Sequence, residues 1–314
     1  MATVLIIGGS GFLGHLVAAA LVKQGHSVIV PTRRYQQQKG NLLVLPNLSL
    51  LEADVNDPSQ LRLLVQASDV IINLVGILQG DEAAFQRAHV DLPSQLVTAM
   101  QQAGKRRLIH ISAVGADEQA PSRYLRSKGR GEQVVRQSGL DYTILRPSVI
   151  FGEGDRFLTM FAKLQSLFPV MPLACPHARF QPIWVMDVVQ AICRCLDLPA
   201  TFNQTLALGG PRQYTLRELV AYVGQLTGHR RPILGLTGAL ATVQAWMLEK
   251  APGQLMSRDN LASMSVPNVV EGPFPSVLGF VPTALEAIAP FYLSNAAPRQ
   301  RFDRFRANHA NSDN

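Results

Sequence analysis

Gly8-Gly-Ser-Gly11-Phe-Leu-Gly14 follows the apolar run Val4-Leu-Ile-Ile7 directly and leads at once into a second apolar stretch, Leu16, Val17, Ala20 and Leu21. Few orders of residues restrict a fold so tightly: a buried strand, a glycine turn, then a helix. At this GxxGxxG spacing Gly8 makes the tight turn, Gly11 lets backbone approach a pyrophosphate, and Gly14 lets the helix pack closely on the strand. The helix N-terminus offers free N–H groups to an anion. The residues expected to cradle phosphates are therefore Gly8, Ser10, Gly11, Phe12, Leu13 and Gly14, and the expected ligand is a dinucleotide.

The rest of the first half extends this unit. Apolar runs at Ser27–Val30, Leu48–Leu51, Val70–Val75, Leu108–Ile111 and Tyr142–Leu145 alternate with helical patterns and are flanked by Gly, Pro or Asp. Six strands with intervening helices predict an α/β fold with a Rossmann-type doubly wound parallel sheet. Asp57-Pro58 sets a helix start and Gly104 a helix stop. After Phe151-Gly152 the alternation weakens, prolines 169, 172, 176 and 182 interrupt the chain, and Thr215-Leu-Arg-Glu218 reads as a capping box. We divide the chain into a dinucleotide-binding core (1–152), a small C-terminal substrate-side domain with the remaining strands and helices (153–295), and a disordered basic tail (296–314).

With 47% hydrophobic and only 16% charged residues, disorder is excluded for nearly all of the chain. Lys and Arg total 29 against 22 Asp and Glu, a net charge of +7. Clusters at Arg33-Arg34, Lys105-Arg106-Arg107, His229-Arg230-Arg231 and Arg299 to Arg306 read as solvated faces or helix ends, Arg33-Arg34 excepted, and no nucleic-acid motif accompanies them. Cys175, Cys193 and Cys195 form neither a metal-ligand spacing nor a disulfide framework, so no metal is expected. The start of the chain lacks a basic n-region and a cleavage site, which reads as cytoplasmic. Pro232–Leu248 carries no charge but includes Thr237, Thr242 and Gln244 and falls short of a span of about 20 apolar residues. Leu236, Leu240, Val243 and Met247, with Trp246 beside them, repeat at helical spacing and are expected in a core, with a membrane surface as the alternative.

Two further loops bear on the dinucleotide. The second strand ends Val30-Pro-Thr-Arg33-Arg34, without the acidic residue that reads a ribose hydroxyl. An arginine fork suits a 2′-phosphate, so NADP(H) is favoured over NAD(H). Asp54-Val55 follows the third strand, at the adenine edge or as a loop cap. Val75 and Gly76, in Asn73-Leu-Val-Gly76, lie along the cofactor's path.

Ser112 ends the fifth strand, and twelve residues on comes Tyr124-Leu-Arg-Ser-Lys128, which puts a phenol and an ammonium on one helical face. An adjacent lysine favours the phenolate, so Tyr124 can exchange a proton with a substrate oxygen. Ser112 would hydrogen-bond that oxygen, and Lys128 would also reach the nicotinamide ribose. In this context Ser112, Tyr124 and Lys128 are the candidate catalytic residues.

GGSGFLG, HISAVGAD around Ser112, YLRSKGRGE and Leu145-Arg-Pro-Ser-Val-Ile-Phe-Gly152 together resemble a short-chain dehydrogenase/reductase of the extended or atypical type. Phe180-Gln-Pro-Ile-Trp-Val-Met-Asp187, Leu206 to Pro211 and Met256-Ser-Arg-Asp-Asn260 resemble the subgroup related to the NADPH-binding accessory subunit of mitochondrial respiratory complex I, in a bacterial member. The resemblance implies bound NADP(H) and a peripheral contact with the respiratory membrane or its complex, and it does not by itself imply turnover. His89 stands where the family's proton-relay asparagine is usually found, as a substitute relay or a packed helix histidine. Three readings follow. The first is an NADP(H)-dependent oxidoreductase on a small carbonyl, alcohol or quinone-like substrate, and the second a non-catalytic NADPH-binding structural or sensing subunit. The third is a sugar-nucleotide epimerase or dehydratase.

Overall fold

The computed structural model describes residues 1–42, 45–250 and 256–294. In chain order the first half runs β1 (Thr3–Ile7), α1 (Phe12–Lys23), β2 (Ser27–Thr32), α2 (Tyr35–Leu42), β3 (Leu48–Glu52), α3 (Pro58–Gln66) and β4 (Val70–Asn73). It continues through α4 (Glu82–Gln86), α5 (Leu92–Gln102), β5 (Arg107–Ile111), α6 (Arg123–Arg136) and β6 (Asp141–Pro147). Side chains of β1 alternate between two apolar layers: Val4 and Ile6 pack with α1 on one face, Leu5 and Ile7 with α3 and α5 on the other. A strand buried on both faces needs an unbroken apolar run, which is what Val4–Ile7 supplies.

The sheet has seven strands, in the order Gln204–Leu208, β6, β5, β4, β1, β2, β3. All its pairings are parallel. All six strands read from sequence are present. The seventh, Gln204–Leu208, was not: Gln-Thr-Leu-Ala-Leu carries too few large apolar residues to stand out, and its pairing with β6 places it. The strand read as Val70–Val75 stops at Asn73, whose side-chain oxygen accepts the Val75 N–H at 3.1 Å and so ends the ladder. Asp57 caps α3 as expected, accepting from Ser59 and Gln60 N–H, and Gly104 leaves α5 with φ +67°. The Thr215–Glu218 capping box is formed on the helix Leu216–Leu226.

The second half is joined to the sheet as well as packed within itself. Helix Val185–Cys195 lays Val188, Val189, Ile192 and Cys195 against the α1 layer. Arg107, expected on a solvated face, is instead buried and donates to the Asp141, Leu196 and Cys195 carbonyls and the Thr143 hydroxyl. A guanidinium with five donors at a strand start holds the end of that helix to the sheet edge. A further apolar cluster gathers Phe151, Leu158, Phe161, Phe180, Leu219 and Leu285. The tail 296–314 lies outside the described residues.

One core expectation is corrected. Pro232–Leu248 becomes a strand, Ile233–Leu236, and a helix, Gly238–Lys250, whose packed face is Ala241 and Ala245. Leu240, Val243, Trp246 and Met247 are 65%, 52%, 47% and 60% exposed. The helix lies close on its support through alanines, and Gln244 donates to the Pro172 carbonyl at 2.8 Å, so the large side chains are left outside. Among the described residues no helix is long and apolar enough to cross a membrane. Leu240→Ser and Met247→Ser should therefore change thermal stability by less than about 0.5 kcal/mol. Ala245→Leu should cost roughly 1–3 kcal/mol, and calorimetry of the three variants checks this.

Candidate active site

The glycine loop is built for close backbone approach. Gly8 has φ +84°, which a β-carbon would strain. A β-carbon on Gly14 would stand 2.4 Å from the Gly8 oxygen and 2.5 Å from Gly9 Cα, so α1 touches the loop only because position 14 is bare. Gly9, which the sequence reading passed over, is held as tightly: its β-carbon would sit 2.9 Å from Val30. Gly11 is the N-cap of α1 with no side-chain cap, and the first turn contains no acid. An anion therefore meets open N–H groups and no competing carboxylate. That donor set fits a pyrophosphate. Ser10, Phe12 and Leu13 are partly exposed around it.

Arg33 and Arg34 follow β2 on the surface, both exposed, and the Arg34 N–H bonds the Thr32 hydroxyl at 3.1 Å. Asp54 Oδ1 accepts from the Asn56 N–H and side-chain amide at 3.0 and 2.8 Å, which is a loop cap. Val55 packs against the α3 and α5 layer. Val75 and Gly76, after β4, meet the lysine of α6. The Lys128 ammonium donates to the Val75 and Ile111 carbonyls at 3.3 and 3.0 Å, and a β-carbon on Gly76 would lie 3.2 Å from its nitrogen.

Lys128 is buried. Burial brings its pKa down to about 8, against the opposing pull of Glu132, a carboxylate itself paired with Arg136 and Arg146. From an ordinary 10.5 that shift costs the ammonium on the order of 3 kcal/mol. At neutral pH it still carries its proton.

Around this cation the polar groups are arranged as neutral partners. His89 lies on a π-helical turn, Arg87–Asp91. Its Nε2 accepts the Ile77 N–H at 3.0 Å, so the ring proton is on Nδ1 and donates to Ser127 Oγ at 2.7 Å. Ser127 in turn donates to the Tyr124 carbonyl at 2.7 Å. Both ring nitrogens are occupied, which is the arrangement of a packed histidine. Burial and the nearby Lys128 and His110 hold its pKa down at about 2. His110 bonds Asn73 through Nδ1 at 3.2 Å, and burial with Lys128 lowers it to about 3. Its Nε2 and the hydroxyl of Ser112 are buried without a hydrogen-bond partner, an unusual condition that points to a ligand or water.

Tyr124 is half-buried beside Phe85 and His89, with ring centroids 6.2 and 5.6 Å away. The sequence reading had Lys128 drawing this phenol toward phenolate. Here the ammonium is spent on two carbonyls, and burial pushes the phenol up to about 12. Tyr124 is thus a neutral phenol at neutral pH. Helix α6 reaches this depth through two further glycines not singled out from sequence. A β-carbon on Gly131 would overlap the His89 oxygen at 2.0 Å, and one on Gly129 would stand 2.5 Å from Asp117. A cleft of about 340 Å³ opens at the start of α6, walled by Gly80, Phe85, Arg123, Ser257, Arg258 and Asp259.

Two outcomes test this geometry. Both buried histidines are neutral in the fold, whereas in the unfolded chain they take protons near pH 6.5. Stability should therefore fall as pH drops below about 6.5, by up to about 1.4 kcal/mol per pH unit for each ring. Denaturant midpoints between pH 7 and 5 should show a shallower slope for His89→Asn and His110→Asn than for the wild type, and equal slopes would remove the assignment. Gly14→Ala should cost roughly 1–3 kcal/mol and abolish nucleotide binding by titration.

Residues 8–159 match the protein family described as NAD(P)H-binding. The chain is 32% identical over 300 residues to the NADH dehydrogenase [ubiquinone] 1 alpha subcomplex subunit 9, mitochondrial, of Mus musculus, covering 90% of this chain and 77% of that one. It is 28% identical over 257 residues to a ceramide reductase of Caulobacter vibrioides, covering 77% and 78%. Among solved structures, an epimerase of Methanothermobacter thermautotrophicus superposes with a TM-score of 0.74 at 14% identity, over 93% of this chain and 90% of that one. That likeness is one of fold.

Proposed function

The chain belongs to the NAD(P)-binding short-chain dehydrogenase/reductase family, in the group that contains the mitochondrial alpha subcomplex subunit 9, and from that membership we propose an NADP(H)-dependent oxidoreductase. Its substrate class is a small carbonyl, alcohol or quinone-like compound. The observation that carries the reading is the phenol of Tyr124 placed one helical turn along α6 from the buried ammonium of Lys128. That ammonium lies against the carboxyl ends of β4 and β5, where doubly wound sheets bind their ligands.

The loop Gly8–Gly14 would hold the pyrophosphate on the N-terminus of α1, and Arg33 with Arg34 would meet a 2′-phosphate. The absence of an acid at the end of β2 supports NADP(H) over NAD(H). Lys128 would exchange one of its carbonyl partners for the ribose hydroxyls beside Val75 and Gly76. When bound, the nicotinamide supplies or accepts the hydride. Ser112, whose hydroxyl has no partner, would donate to the substrate oxygen, and Tyr124 would deliver the proton that turns a carbonyl into an alcohol. His89 takes no part in proton transfer, since both its nitrogens are engaged.

A second reading is favoured by one feature, the exposed apolar face of helix Gly238–Lys250: a nucleotide-holding subunit docked on a respiratory complex or at the rim of the inner membrane, on the cytoplasmic side. Tyr124→Phe separates the two. For an oxidoreductase, turnover of small carbonyls or quinones falls about 10²–10⁴-fold while NADPH affinity is kept. Undiminished turnover would sink the mechanism. Arg33→Ala should weaken NADPH by roughly tenfold or more and NADH little, read by calorimetric titration. Binding of both should decline as pH rises through about 8, where Lys128 loses its proton.

A further inference from the structure

The N-terminus of α6 is capped twice, and the second cap comes from the other end of the chain. Ser122 Oγ accepts the Leu125 N–H at 3.1 Å, leaving the Arg123 and Tyr124 N–H groups without an intrahelical partner. Both are taken by one carboxylate: Arg123 N–H donates to Asp259 Oδ1 at 2.8 Å and Tyr124 N–H to Oδ2 at 3.1 Å. The Arg123 guanidinium adds a bond to Oδ1 at 3.4 Å. Asp259 is buried, and its own helix, Arg258–Met264, is fixed by a capping box between Ser257 and Asn260. The carboxylate is thus oriented before it meets α6. Seven residues on, Val266 packs with Tyr124, Leu125, Ala113 and Ala120, so segment 257–266 grips the same turn by charge and by apolar contact.

We propose that Asp259 is the positioning residue for Tyr124: its two oxygens fix the backbone from which the phenol is projected, so that the site is complete only when segment 257–266 is seated on α6. The inference rests on Tyr124 being the proton donor. A carboxylate with one oxygen on each of two successive N–H groups defines where the helix starts and how it is rotated, which a single hydroxyl cap does not. Rotation of the first turn moves the Tyr124 ring between Phe85 and His89, and a shift of about 1 Å at a reacting group is worth up to about 10²-fold in rate. Asp259 also lines the cleft at the start of α6, together with Phe85 and Arg123.

The test compares two caps of the same helix in the full chain. Ser122→Ala and Asp259→Asn each remove cap bonds from α6 and should lower stability similarly, by about 1 kcal/mol. Asp259→Asn should lower kcat about tenfold or more with NADPH affinity unchanged, Ser122→Ala should leave kcat within about twofold, and Asp259→Glu should recover most of the loss. A second readout needs no turnover. In ring-labelled tyrosine spectra, with Tyr124 assigned through Tyr124→Phe, Asp259→Asn should move the Tyr124 ring signals toward those of an exposed tyrosine and Ser122→Ala should not. Equal kcat losses in the two variants, or ring signals unmoved in Asp259→Asn, would overturn the proposal. Ring signals that move in a protein whose turnover survives Tyr124→Phe would uphold the positioning and overturn the oxidoreductase mechanism instead.

Discussion

A buried ammonium sets the terms for everything around it. Lys128 has been brought among apolar strands at a cost on the order of 3 kcal/mol, and it is tolerated because two carbonyls, one just after β4 and one at the end of β5, accept hydrogen bonds from it. Those carbonyls converge only because the strands are parallel neighbours ending at the same level. The cation then dictates the chemistry of its surroundings. Burial first, with Lys128 adding to it, keeps His89 and His110 neutral, and each ring accepts a hydrogen bond from a fixed donor, Ile77 N–H and the Asn73 amide. Asn73 in turn holds Val75, whose carbonyl returns to Lys128. The segment along which a dinucleotide would run is thus fixed by a closed set of bonds centred on one charge.

The same logic explains the glycines of α6. A helix that delivers both an ammonium and a phenol to a sheet edge must approach the π-turn at His89 and the loop at Asp117 more closely than any side chain permits. Gly129 and Gly131 are where it does so. Glycine in a helix costs about 1 kcal/mol relative to alanine. Here that cost is offset by contact, and Glu132, paired with Arg136 and Arg146, anchors the far side of the same turn.

How much of this was legible depended on whether a residue's role is local. The glycine loop, the six strand runs, the Asp57 cap and the Thr215 capping box are encoded within a few residues each, and all are present. The pair Tyr124 and Lys128 was legible as a spacing, but its electrostatics were not. Whether an ammonium faces a phenol or two carbonyls is decided by β5 and the residues just after β4, on separate elements of the chain. For the same reason the bonds of Asn73, His110 and Asp259 were not legible: each stands in a motif quoted from the sequence, but an asparagine at a strand end or an aspartate in a short helix shows no role until its partner is known. The apolar helix Gly238–Lys250 misled in the opposite sense, because periodicity marks an apolar face without saying whether anything covers it, and two alanines proved sufficient to dock it.

These contacts divide the labour between the two halves of the chain. The candidate reacting groups, Ser112, Tyr124 and Lys128, all stand on the first half, attached to the sheet. The second half contributes strand Gln204–Leu208, helix Val185–Cys195, and the carboxylate that takes the first two N–H groups of α6. The candidate reacting groups are thereby held on the sheet side, while the first turn of α6 that carries Tyr124 is held by segment 257–266. On the proposed positioning, changes in that segment alter how Tyr124 is seated without touching the glycine loop or the carbonyls that hold Lys128. In a nucleotide-binding chain of this build, nucleotide binding and the positioning of Tyr124 are thus held by different bonds, so on the proposed mechanism its second half alone can set turnover.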